Sequence, residues 1–334
     1  MKFPVKEENP MISYKNNLML THARQARFRP RLIIQILLFM AVFSVSNAIT
    51  SVIMTGPILF GIFSDPKLLE AMTSGDIHAS VSATVQTAMA VMEKPWIMLI
   101  SLLATGITTL VCILYCRKIE RRSMVSMGFR KSGWLARYLK GYAIGAGMLL
   151  LCALILWLMG DLDFAFAKKI PVFYILAFFA GFIIQGMSEE VCVRGYLMVS
   201  LGNRCHMAVA IGISSVIFAL LHLGNPGLTV LALLNLTLFG VFMAVYILRT
   251  DDLWGACAIH SAWNFAQGNL VGIRVSGTAQ LPTVAIMQPL GEQSLFHGGD
   301  FGLEGGLIVT IVVLAAIALT LFLPQKQHAE KSVL

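Results

Sequence analysis

Three short stretches of this 334-residue chain carry side chains able to hydrolyse an amide. The first reads Ser188-Glu189-Glu190-Val191-Cys192-Val193-Arg194. On a helix, Glu190 and Arg194 stand four apart on one face and can form an ion pair, which lowers the cost of burying both. Glu189 points about 100° away. It has no cation on its own helix, the setting of a carboxylate that takes or gives a proton. The second stretch is Phe218-Ala219-Leu220-Leu221-His222, with Phe218 and His222 on one face. The third, His260-Ser261-Ala262-Trp263-Asn264, stacks an imidazole and an amide on one face of an otherwise apolar segment. Each has a plain alternative. The first could be a polar helix end, the second a core histidine bonded to a carbonyl, and the third a hydrogen bond between helices. Together they supply a carboxylate, two imidazoles and an amide from three successive helical regions, the set needed to activate water in one polar cavity.

The elements that must position these groups follow from composition. The chain is 57% hydrophobic and 13% charged, about half the charge of a soluble domain. Its apolar residues come in runs near the roughly 20 residues that cross a bilayer. The runs predict an all-α polytopic transmembrane bundle of about eight spans with a polar catalytic cavity. The spans are 32–56, 96–116, 141–160, 172–200, 206–222, 228–249, 253–270 and 305–323. The chain then divides into a basic N-terminal segment (1–31), N-terminal spans and loops (32–171), a catalytic core (172–270), a Gly-rich extracytoplasmic loop (271–304), and a last span with its tail (305–334). The first apolar run is too long for a cleavable leader and is expected to stay as an anchor.

The net charge of +8 sits between the apolar runs, as in cytoplasmic loops, which argues against a nucleic-acid partner. Residues 1–31 carry seven Lys and Arg against two acids, and 117–140 carry eight against Glu120 alone. Both are expected inside. Segments 64–95 and 271–304 are net acidic and are expected outside. The C-terminus, with Lys326 and Lys331, is expected inside, and the plasma membrane is the expected compartment. Short helices are expected near Leu68–Met72 and Val81–Met92, and the Gly-rich 271–304 is expected to be mobile. It lacks the Lys-Ser/Thr ending of a phosphate loop. The six cysteines include no CxxC pair, so they read as packing residues rather than a zinc or disulfide framework. Asp251 and Asp252 are expected to cap the seventh span. His22, His78, His206, His297 and His328 fall in loops or at span ends and are given no role.

The three motifs, in this order, resemble the CPBP family, which comprises the type 2 CAAX prenyl proteases and the bacteriocin-processing (Abi) proteins. Gly195-Tyr196-Leu197 after the first motif and Leu253-Trp254 before the third also fit. The resemblance covers about residues 172–270. It implies an intramembrane endopeptidase in which Glu189 and His222 activate water while His260 and Asn264 stabilise the oxyanion. Glu190, Arg194 and Phe218 would support the site. The substrate would be a membrane-associated peptide or protein tail, and membrane lipids the surrounding partner. The family is often described as metallo-type. Here His222 and His260 supply two ligands and the third would have to be Glu189, Glu190 or Asn264, so the reading leans to metal-free hydrolysis and leaves zinc open, with Glu189 the third ligand if zinc binds. The rival readings are a proton-coupled transporter, which predicts internal repeats that are not seen, and a non-catalytic immunity or scaffold protein. Straight helices would place Glu189 about 16 Å, His222 about 24 Å and His260 about 10 Å from the cytoplasmic ends of their spans. A tilted fifth span, or a water-filled cavity open to the cytoplasm, is therefore expected.

Overall fold

The computed structural model describes residues 17–73, 76–291 and 295–322; Lys326 and Lys331, expected at the cytoplasmic end, lie outside them. The helices are α1 (Leu18–Ala23), α2 (Leu32–Phe63), α3 (Pro66–Thr73), α4 (Ile77–Met92), α5 (Pro95–Ala104), α6 (Gly106–Leu114), α7 (Trp134–Leu158), α8 (Val172–Glu190), α9 (Val199–Gly202), α10 (Met207–Leu220), α11 (Val230–Thr250), α12 (Leu253–Phe265) and α13 (Leu307–Phe322). Wider π-helical turns extend three of them, at Tyr115–Glu120 after α6, Val191–Met198 after α8 and Ala266–Leu270 after α12. This is a helical membrane bundle. Five helical stretches are long and apolar enough to cross a bilayer, Leu32–Phe63, Pro95–Glu120, Trp134–Leu158, Val172–Gly202 and Val230–Thr250. The other three expected spans are shorter: α10, α12 and α13 have 14, 13 and 16 residues. The two helices expected between residues 64 and 95 are present as α3 and α4.

Two departures from an all-helical reading bear on the site. Leu162–Phe166 (β1) pairs antiparallel with Ala285–Pro289 (β2), so the described part of the Gly-rich stretch, 271–291 and 295–304, is folded rather than a loose loop. Three backbone bonds tie it to the end of α12 and to itself: Val284 N to Asn269 O, Met287 N to Val271 O, and Gly277 N to Phe301 O. Val275, Leu281, Phe301 and Leu303 are buried. In addition, α10 ends at Leu220, which puts His222 on the turn beyond its helix.

The bundle has two chemically distinct ends. At one, Arg122 is fully buried and paired with Glu120 at 3.1 Å. It also donates to Ser200 Oγ, Ser126 O and Gly195 O, each at 2.8 Å. Gln35 Nε2 completes Glu120 at 2.9 Å. A buried ion pair persists where its remaining donors and acceptors are met in this way. The Gly195 contact holds the π-helical turn that follows Glu190. Asp251 accepts from Leu18 N and Met19 N and lies 3.7 Å from Arg130. It therefore caps α1 rather than the seventh span, while Asp252 stands at the N-cap of α12, 3.8 Å from Arg137. Arg249 donates to Leu321 O. The other end gathers β1, β2 and the 271–306 segment, with Leu290 N donating to Asp161 O and Asn225 Nδ2 to Ser276 O.

Close backbone packing sets α12 in place. A Cβ on Gly141 would lie 2.3 Å from Gly255 O, and one on Gly145 would lie 2.1 Å from Ile259 O. On the opposite side, a Cβ on Gly186 of α8 would lie 2.5 Å from Ser261 Oγ. Glycines thus let α12 sit tightly between α7 and α8, the small-residue packing of membrane helices. Gly145→Ala should lower stability by about 1–3 kcal/mol through overpacking, read as thermal unfolding in detergent. Gly147→Ala, on the same helix with nothing within 4 Å, should leave it unchanged.

Candidate active site

The α8–α12 contact brings the first and third motifs together. Arg194 Nη1 donates to Glu190 Oε1 at 2.9 Å, with both side chains fully buried. His260 Nδ1–H donates to the same oxygen at 2.9 Å. The Arg194 guanidinium also lies 4.4 Å above the Phe218 ring, a cation–π contact that strengthens on desolvation. The intrahelical pair expected from spacing is therefore present, and a second donor, His260, reaches it from α12.

Glu189 sits differently. Gln185 Nε2 donates to its Oε1 at 2.5 Å. Its Oε2 is buried without a protein hydrogen-bond partner and lies 3.6 Å from His260 Nε2. Gln185 Oε1 accepts from Asn264 Nδ2 at 2.9 Å. Gln185 thus joins the carboxylate of the first motif to the amide of the third, leaving the second Asn264 N–H available. The sequence reading missed Gln185, although it stands one turn before Glu189 on the same face.

His222 completes the set. Its Nδ1 is 2.9 Å from Phe218 O. A carbonyl only accepts, so Nδ1 carries the proton and a neutral ring keeps its lone pair on Nε2. The Phe218 ring meets the His222 imidazole edge-on at 5.1 Å and that of His260 at 6.0 Å. Phe239 covers His260 at 5.5 Å. Glu189, His222, His260, Asn264 and Gln185 all line one cavity with about 170 Å³ of space for water, where a single water needs about 10–15 Å³. Glu190 and Arg194 lie behind its wall.

The cavity's far side comes from the segment read as a loop. Glu304 Oε2 accepts from Ser276 N at 2.6 Å, Ser276 Oγ at 2.9 Å and Gln267 Nε2 at 3.2 Å. Ser276 takes φ +47° to deliver both donors, a conformation uncommon for a side-chain-bearing residue. Asn235 Nδ2 donates to Glu304 O and Gly306 O. Burial pushes the Glu304 carboxyl up, against the pull of the Ser276 donors and of nearby His222. Glu304 was not singled out from sequence, because it lies outside every span and motif.

The donor set was tested against zinc. Catalytic zinc usually takes three protein ligands, and among the described residues no three His, Cys, Asp or Glu side chains gather as a metal site requires. His260 Nδ1 is engaged with Glu190. Glu189, His222 and His260 do not fit as a zinc site, and no step below runs through a metal.

Residues 171–266 match the family described as type II CAAX prenyl endopeptidase Rce1-like. The match covers under a third of the chain. All three motifs fall inside it, in agreement with the resemblance noted from sequence, and the family is one of CAAX-type intramembrane proteases. Comparison with curated proteins and with solved structures returned no significant match. The match ends at residue 266, so Ser276 and Glu304, which line the cavity, and Gln267, which donates to Glu304, lie beyond it. Glu304→Ala would orphan those donors at a cost of about 1–3 kcal/mol each. The Ser276 amide should then exchange hydrogen faster and 271–306 become more protease-sensitive. Asp300→Ala, whose side chain is 81% exposed in its pair with Arg274, should do neither.

Proposed function

We propose that the protein hydrolyses a peptide bond in a membrane-associated peptide or protein, using water activated by Glu189 and His222. The observation that carries this reading is the orphaned Glu189 Oε2, buried in the cavity wall beside His260 Nε2. A buried carboxylate oxygen with no protein donor is a binding point for a water molecule. The His222 Nε2 lone pair offers a second acceptor in the same cavity.

In this reading the water gives a proton to the Glu189–His222 pair as its oxygen attacks the scissile carbonyl. The resulting oxyanion accepts from Asn264 Nδ2 and from His260 Nε2 when that ring carries both protons. The doubly protonated ring suits the charge balance: Glu189 and Glu190 face Arg194 and His260 around one contact. Collapse returns the proton to the leaving amine, so water and one amide become an acid and an amine. Glu190 and Arg194 hold the orientation of His260, and Gln185 holds Glu189 and Asn264 at a fixed spacing. The Rce1-like match, protease-type at family level, supports peptide-bond hydrolysis as the reaction. CAAX-type tails, bacteriocins and peptide pheromones are the substrate classes the reading covers.

The test is cleavage of membrane-associated peptides by the purified protein in detergent. Glu189→Gln and His222→Ala should abolish measurable turnover while keeping the wild-type elution profile. Asn264→Ala should lower kcat by about 10²–10³, the cost of one oxyanion donor. Gln185→Leu should reduce kcat more than it changes KM. Full activity in Glu189→Gln would overturn the proposal, and activity abolished by a chelator and restored by zinc would overturn its metal-free form.

A further inference from the structure

Every helix that contributes to the cavity does so from the same half of the bundle. Ser101 and Leu102 lie on α5, which begins beside the acidic α3–α4 segment. Phe178, Phe182 and Gln185 lie on α8, which begins after β1. His222 and Asn225 follow the end of α10, Asn235 lies near the start of α11, and Ser276, Thr278 and Glu304 come from the 271–306 segment. That half is the β1–β2 end. The opposite end carries the Arg122, Asp251 and Arg249 contacts, with Arg27, Arg117, Lys118 and Arg121 clustered on its surface. Charge separates the two ends as well. The eight basic residues of 117–140 stand against one acid, whereas the cavity-end segment 64–95 carries four acids and two lysines. Short loops rich in Lys and Arg stay on the cytoplasmic side.

Taking the peptidase reading as its basis, we infer that the reaction cavity opens to the extracytoplasmic face. Its substrate is then a peptide stretch of an exported or membrane-anchored chain presented from outside, not a cytoplasmic C-terminal tail. The lining supports this choice of substrate. It includes Glu189 and Glu304 but no lysine or arginine, and with His260 and Asn264 committed to the oxyanion no fixed cation is left for the free carboxylate of a chain end. The wall formed by Met98, Leu102, Phe178, Phe182, Val275 and Leu281 suits apolar side chains. The cavity expected from sequence to open to the cytoplasm sits instead in the other half of the bundle.

Sidedness is measured without catalysis. Three single reporters are made in the full chain carrying Cys205→Ser: Thr278→Cys at the cavity mouth, Lys168→Cys beside β1, and Ser132→Cys at the basic end. All three positions are exposed, and the five remaining native cysteines are buried. Intact cells are treated with a membrane-impermeant maleimide before and after permeabilisation. Thr278→Cys and Lys168→Cys should label at least tenfold more than Ser132→Cys in intact cells, and all three alike after permeabilisation. Labelling of Ser132→Cys alone in intact cells would overturn the inference. So would labelling of Lys168→Cys while Thr278→Cys reacts only after permeabilisation. A protein that labels as expected yet cleaves no peptide in detergent would sink the peptidase reading and leave the sidedness standing. Where peptide is cleaved, a C-terminally amidated peptide added outside intact cells should be cut at least tenfold faster than its free-carboxylate twin cut near its end; the reverse preference would overturn the substrate assignment.

Discussion

A guanidinium, a carboxylate and an imidazole share one contact inside an apolar bundle, at Arg194, Glu190 and His260. Moving such ions out of water costs several kcal/mol each unless every one is met by opposite charge and hydrogen bonds. Most of the local architecture is the means of meeting that condition. Glu190 is short, so α12 must approach α8 closely for its imidazole to reach the carboxylate, and Gly186 permits the approach. Phe218 covers the guanidinium, which draws the end of α10 inward and brings His222 with it. With Glu190 Oε1 taken by both Arg194 and His260 and Glu190 behind the wall, the adjacent Glu189 is the carboxylate that lines the cavity.

The two ends of the bundle divide the work. One end fastens loops and helix termini through Arg122, Asp251 and Arg249, whose donors and acceptors lie far from any chemistry. The other encloses the reacting groups, and its closing wall comes from a segment beyond the Rce1-like match. The hub of that wall is a single carboxylate oxygen of Glu304 that takes three donors. Such a wall does not depend on apolar burial alone, which suits a surface bordering a water-filled space.

Much of this was readable in the residues. Runs of apolar residues near the thickness of a bilayer located the helices to within a few residues, because length and hydropathy are local properties. The Glu190–Arg194 pair followed from a spacing of four. What escaped were contacts made across space. Gln185 and Glu304 lie on no motif, and their meaning comes only from the groups they meet. The strand pair joins residues 162–166 to 285–289, a separation no local pattern encodes, and glycine content near residue 298 read as mobility when several of those glycines make tight turns. Gly141 and Gly145 carry meaning only once α12 is placed against them. His222 was expected on its helix, whereas the 14-residue α10 stops two positions short of it.

The position of α12 between α7 and α8 also has a consequence for biogenesis. Glu190 and His260 are 70 residues apart in sequence, and both neighbours of α12 leave the ribosome before it does. Until α12 slides into the seam, the nascent protein holds Arg194 and Glu190 in the lipid without their imidazole, and Glu189 has neither His260 nor Asn264 beside it. The proposed catalytic set is therefore complete only once α12 has taken its place, and a chain cut short before that point would keep its buried charges incompletely satisfied.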